Sequence, residues 1–182
     1  MSPAPALRVV EVAPERFEGW SQRFAANNPD GPQHIVAVDR FEVDPIFLVL
    51  VRRGGYAIGV GAQGRLARHS TGTRYVQSRT AAGGWSQQRF ARRRSGQADA
   101  LVKAVADKVV RIREEWTGPA LAGLVVGGDK ALIVDVFDDP RLESLTPLPR
   151  RDLYDLPDPR LTVLQKALDR GRSVRVTISD GQ

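Results

Sequence analysis

Apolar positions along the chain change period several times, and each change marks an element. In residues 13–27 (APERFEGWSQRFAAN), Phe17, Trp20 and Phe24 fall three and four apart behind Pro14, the pattern of a short helix with proline in its first turn. Asn28-Pro29-Asp30-Gly31-Pro32 then breaks the chain. His34–Val38 (HIVAV) predicts a buried strand opened by a structural histidine. Ile46–Val51 (IFLVLV) predicts a second strand, turned at Arg52-Arg53-Gly54-Gly55 into a third at Tyr56–Gly61. Ala62-Gln63-Gly64 turns again into Arg65–His69, residues 70–73 (STGT) predict a further turn, and Arg74–Ser78 (RYVQS) a last strand. The result is an antiparallel meander with one packed face and one charged face.

Residues 81–88 (AAGGWSQQ) carry adjacent glycines and no hydrophobic period, which predicts a flexible loop. Beyond it Leu101, Val105, Val109, Ile112 and Trp116 line one face of a long helix that begins near Gln88. Leu121–Val126 predicts a buried strand ending at Gly127-Gly128-Asp129, with Asp129 the N-cap of a helix over 130–138. A short strand is expected at Leu142–Leu145, a Pro- and Asp-rich connection over 146–158, and a last helix at Pro159–Arg170 capped by Gly171. Ser173–Ile178 is expected to close the sheet. The fold class is therefore α/β (α+β): a mixed β-sheet with an antiparallel meander and packed helices. A single domain over 1–182 is expected, with residues 1–30 as a helical lead-in.

Composition narrows the function. Hydrophobic residues make up 42% and charged residues 26% of 182, a balance able to bury a core without staples. There is no cysteine, which excludes disulfides, thiolate metal sites and cysteine nucleophiles, and His34 and His69 are the only histidines. No apolar run approaches the roughly 18 residues of a membrane span, and the first residues lack the basic head and apolar stretch of a signal peptide, so a cytoplasmic protein is expected. Of 27 basic residues only Lys103, Lys108, Lys130 and Lys166 are lysines. Residues 45–98 hold ten arginines and no acidic residue, whereas the other 128 residues carry 17 basic and 21 acidic groups. A GC-rich genome accounts for arginine outnumbering lysine but not for the missing acids. A segment of charge +10 on a body of charge −4 points to a polyanion-binding face, foremost for nucleic acid.

Several chemistries lack their motif. There is no P-loop and no GxSxG. Gly59-Val60-Gly61-Ala62-Gln63-Gly64 fits GxGxxG but joins two hairpin strands and opens no helix, so it is read as turn chemistry. His69, beside a turn, is read as exposed or RNA-facing. Asp39, Asp129 and Asp135 are the acids from which a Mg²⁺ site would be built, but Asp129 reads better as a helix cap and Asp135 sits in an apolar helical segment. No metal and no cofactor are expected.

The distinctive stretch is GGWSQQRFARRR, residues 83–94. Glycines let backbone N–H groups approach a reacting ester, a glutamine both donates and accepts, and arginines hold phosphates. The same stretch reads equally as a surface loop with solvated arginines. It resembles the GGQ loop in the central domain of eukaryotic and archaeal class I release factors. Gly83, Gly84, Ser86, Arg89, Phe90, Ala91, Arg92 and Arg94 match in register, and the order meander, loop, long helix, strand, Gly-Gly-Asp, helix matches over about residues 33–145. Trp85 stands at the family's glutamine, and Gln87 follows two places on. That spacing, Gly84-Trp85-Ser86-Gln87, resembles the Gly-x-x-Gln loop of Vms-type release factors of ribosome quality control, and the whole chain resembles their actinobacterial branch of single-domain peptidyl-tRNA hydrolases.

The resemblance implies an RNase H-like topology and hydrolysis of the peptidyl-tRNA ester on a stalled or split large ribosomal subunit. It implies Gln87 as the water-positioning residue, assisted by Gly83, Gly84 and Ser86. Arg74, Arg79, Arg89, Arg92, Arg93 and Arg94 would bind the phosphates of 23S rRNA or tRNA, and Tyr75 and Trp85 would stack on bases. A ribosome-associated monomer is expected. Two other readings stay open: a tRNA 3′-end endonuclease of the same fold, and a non-enzymatic ribosome- or RNA-binding module.

Overall fold

A computed structural model describes residues 6–73 and 87–180, the stretch 87–95 by its backbone alone. Its elements are β1 (Leu7–Val12), α1 (Pro14–Asn27), β2 (Gln33–Asp39), β3 (Ile46–Arg52), β4 (Gly55–Ala62), β5 (Arg65–Thr73), α2 (Gln87–Glu114), β6 (Gly123–Gly128), α3 (Lys130–Phe137), a 3₁₀ helix (Pro140–Leu145), β7 (Arg150–Leu153), α4 (Leu161–Arg172) and β8 (Val174–Asp180). Two compact units form, Val43–Leu168 and Met1–Glu42 with Asp169–Gln182.

The larger unit is built on a five-stranded sheet of order β5-β4-β3-β6-β7. β3, β4 and β5 form the antiparallel meander, while β6 and β7 run parallel to β3. This is the RNase H-like arrangement of a mixed sheet. β3 is buried from Ile46 to Val51 because it lies mid-sheet with both faces covered. Phe47, Val49 and Val51 align with Val60 and Ile58 of β4 and with Leu124 and Val126 of β6, and this face packs with Leu101, Val105, Val109 and Ile112 of α2 and Ile133 and Val136 of α3. Asp129 caps α3 as expected, its Oδ1 accepting from the N–H groups of Ala131 (3.0 Å) and Leu132 (3.3 Å).

The opposite face explains the GxGxxG match. Gly59 and Gly61 sit on it across from Leu48 and Ile46. A Cβ on Gly59 would lie 3.1 Å from Leu164 Cδ2, and one on Gly61 would run into the Leu168 side chain. These glycines are bare so that α4 can seat its leucines on the sheet. Gln63 and Gly64 make the hairpin turn with φ of 52° and 75°, and the Gln63 N–H donates to the Asp44 carboxylate.

The smaller unit holds a second, antiparallel sheet of order β1-β8-β2. Val12, Val174, Val176 and Ile178 pack with Phe17 of α1, whose Trp20 stacks on Phe17 and Phe24. Glu11 accepts from Arg170 at 2.7 Å and lies 3.4 Å from Arg175, and Arg172 meets Glu15 at 2.6 Å.

Several expectations need correction. Ser173–Ile178 does not close the main sheet: β8 is the centre of the second one. The β2 segment is not buried, and His34 is exposed, because β2 is an edge strand paired to β8 alone. A strand, β1, precedes α1 in the lead-in. Residues 70–73 do not turn but continue β5, since Gly72 leaves room for the Tyr56 ring across the ladder. Leu142–Leu145 is not a strand. Pro140 opens a 3₁₀ helix there and the Asp139 carboxylate accepts from the Arg141 N–H at 2.9 Å. The strand lies later, as β7 inside the expected connection; its charged sequence hid it, and a parallel ladder to β6 on one side defines it. Gly171 lies inside α4 rather than capping it, and the Ser173 hydroxyl donates to the Arg170 carbonyl at 2.7 Å.

Candidate functional site

The described residues that flank the 74–86 segment lie toward one end of the larger sheet. β3 ends at Arg52 and the parallel β6 ends beside it, with Val51 opposite Gly128. Arg52 pairs with Gly55 across the hairpin, and Gly55 in turn pairs with Thr73, the last described residue of β5. β5 therefore ends, at Thr73, toward the strand ends that carry Arg52, Arg53 and Gly128. α2 returns along the sheet: near its far end Glu115 bonds Arg68 of β5 at 3.0 Å, and the chain then enters β6 at Gly123, opposite Ile46 at the start of β3. The start of α2 thus lies toward the same sheet end as Thr73. Among the described side chains of α2, burial begins at Leu101, about 21 Å along the axis from Gln87; Gly96 has nothing within 4 Å of its Cβ position.

Arg74, Tyr75, Arg79, Gly83, Gly84, Trp85 and Ser86 lie outside the described residues. Gln87 is the first residue of α2, and Arg89, Arg92, Arg93 and Arg94 follow within its first eight. The arginines of the +10 segment divide into groups. Arg68 is spent on Glu115, which Arg111 also holds at 2.7 Å and whose carboxyl is lowered, chiefly by that Arg111 bond. Arg65 starts β5, at the sheet end opposite Thr73. Arg52 and Arg53 stand at the sheet end toward which β5 ends. In the sequence they read as a hairpin turn and count among the ten arginines of the +10 segment, but are not singled out as site residues.

The remaining candidates separate. His69 is exposed on β5, and Asp135 is exposed on α3 rather than turned to apolar neighbours. Among the described residues no group of three or more His, Asp or Glu side chains is placed to hold a metal ion. Another ionic cluster among the described residues is centred on Arg141. Arg141 reaches Asp107 of α2 at 2.8 Å and Asp139 at 2.7 Å, and it holds the Asp139 carboxyl down at about 2, first through its side chain and then through its backbone N–H.

Comparison with known proteins places this arrangement. No curated protein matches the chain. The family model described as Actinobacteria/chloroflexi VLRF1 release factor matches residues 44–177, spanning the whole five-stranded sheet, the 74–86 segment, α2, α3, α4 and part of β8. It begins later and runs further than the 33–145 resemblance. With well over half of the chain matched, the protein belongs to the Actinobacteria/chloroflexi VLRF1 release factor family.

Proposed function

We propose that the protein releases nascent chains by hydrolysing peptidyl-tRNA on the large ribosomal subunit. The observation that carries the reading is family membership across a stretch that brackets GGWSQQRFARRR. It is supported by β5 ending and α2 starting toward the same sheet end, with the first buried side chain described on α2 only at Leu101, so that the start of the helix is free of the core and available to a partner.

In this reading residues 83–87 enter the peptidyl-transferase centre. Gln87 orients a water toward the ester carbonyl, and backbone N–H groups of Gly83–Ser86 stabilise the developing oxyanion. The carbon–oxygen bond to the ribose 3′-oxygen breaks, the neighbouring 2′-hydroxyl relaying the proton. The products are a free peptide carboxylate and a tRNA with an intact 3′-hydroxyl. Arg74, Arg79, Arg89, Arg92, Arg93 and Arg94 contact 23S rRNA or tRNA phosphates, with Tyr75 and Trp85 stacking.

The test is incubation with stalled peptidyl-tRNA–large-subunit complexes, resolved on a gel. Peptide freed from full-length tRNA supports the reading. A shortened tRNA identifies an endonuclease, and tight binding without turnover identifies a plug.

A further inference from the structure

The β3–β4 turn, the end of β6 and the connection before α4 enclose an open cavity of about 380 Å³ lined by Arg52, Arg53, Gly54, Gly128, Asp129 and Asp158. It sits outside the carboxyl ends of the parallel strands β3 and β6, the position at which α/β sheets bind ligands. Its floor is fixed by backbone: Gly128 has φ of +100°, and the Asp129 N–H donates to the Val51 carbonyl at 2.7 Å.

Its chemistry is double. Arg52 is anchored by a 2.6 Å bond from Nη2 to the Leu156 carbonyl, while its Nε is buried with no hydrogen-bond partner. Arg53 is exposed and makes no ion pair among the described residues. Asp129 uses Oδ1 for the α3 cap, leaving Oδ2 uncommitted among the described residues, and Asp158 is exposed with no such partner either. The cavity thus offers guanidinium donors beside carboxylate acceptors. A bare phosphate satisfies the first and is repelled by the second. A ribose–phosphate unit satisfies both, the phosphate taking the guanidinium and the 2′-hydroxyl donating to a carboxylate.

We infer that this cavity holds one ribose–phosphate unit of an RNA strand, with Arg53 on the phosphate and Asp158 or Asp129 on the 2′-hydroxyl. The inference rests on the reading of the chain as an RNA-engaging release factor, and it adds a contact separate from residues 83–94. Because Thr73 pairs with Gly55, RNA bound there lies at the root of the 74–86 segment.

The experiment uses the full chain and a fluorescent single-stranded RNA heptamer, with DNA of the same sequence, in anisotropy titrations over a range of salt. The wild type should prefer RNA. Arg53→Gln should weaken RNA binding about fivefold and reduce the salt slope by roughly 0.7. Asp158→Asn combined with Asp129→Asn should remove the RNA preference without weakening DNA binding, and Asp158→Asn alone, which leaves the α3 cap intact, should reduce it. Equal affinity of the wild type for RNA and DNA, or unchanged RNA binding by Arg53→Gln, overturns the inference. So does adenosine 5′-monophosphate displacing the heptamer at the heptamer's own concentration, which would assign the cavity to a free nucleotide. Release is measured in parallel. Failed release with these RNA effects intact sinks the reaction and keeps the cavity, whereas normal release by a wild type without RNA preference sinks the cavity alone.

Discussion

Thr73 faces Gly55 across the β4–β5 ladder, so residues 74–86 begin one strand away from the Arg52-Arg53 turn. α2 then runs back across the sheet to Glu115 beside Arg68. The unit therefore has one end that carries Arg52, Arg53 and the start of α2, and another where Arg68 and Arg111 share the carboxylate of Glu115.

Replacing Gln87 tests the reaction most directly. Gln87→Ala should slow peptide release about 10²–10³-fold, the typical loss for one group that positions a reactant or stabilises an oxyanion, with subunit binding kept within about threefold. Gln88→Ala is the neighbouring control. Normal release by Gln87→Ala and loss in Gln88→Ala would place the glutamine one residue later.

How legible all this was depended on where the physical signal lay. The meander, α2 and α3 were readable because burial writes itself as period: IFLVLV is apolar throughout since β3 is covered on both faces, and Leu101–Ile112 keep one helical stripe against it. β7 was not readable. Arg150-Arg151-Asp152-Leu153 has the composition of a loop and becomes a strand only through its ladder to β6. The second sheet was hidden for a related reason, since β1 and β2 meet only through β8, more than 130 residues after either, and no local pattern reports that pairing. Of the site, the loop motif was visible by resemblance, whereas the Arg52–Asp158 cavity needed the fold to bring distant residues together.

Gly61 carries a packing prediction. Gly61→Ala should lower the melting temperature by roughly 3–10 °C, because the added methyl meets Leu168 and overpacking costs about 1–3 kcal/mol. Gly61→Ala with Leu168→Val should recover part of the loss. A fully stable Gly61→Ala would show that α4 does not press on that glycine.

Asp139 gives a pH prediction whose sign is fixed by its depressed carboxyl. Held at about 2 by Arg141 against an ordinary 3.8, it contributes stability fully present above about pH 4 and lost as pH falls toward 2. Asp139→Asn keeps the cap on the Arg141 N–H but removes the charge. Urea midpoints should therefore separate wild type and variant at pH 6 and converge toward pH 2.5. A gap of constant size across that range would remove the ion pair as its cause.

The arginines at the start of α2 make the final prediction. If they contact RNA phosphates, Arg92, Arg93 and Arg94 changed together to Gln should weaken binding to large subunits and flatten its salt dependence, each lost contact lowering the slope by roughly 0.7–0.9. The control must remove equal charge without touching structure. Arg150 and Arg151 fail that condition, since Arg150 bonds Asp152 and Tyr154 and Arg151 is only 5% exposed. Arg16, Arg23 and Arg160 meet it, being exposed and making no ion pair among the described residues. Glutamine retains hydrogen-bonding capacity and helix propensity, so a change in slope reports charge and not unfolding. Equal slopes for the 92–94 variant and the control would mean that these arginines are solvated, and the charge asymmetry would then have to act through Arg52, Arg53 and residues 74–79.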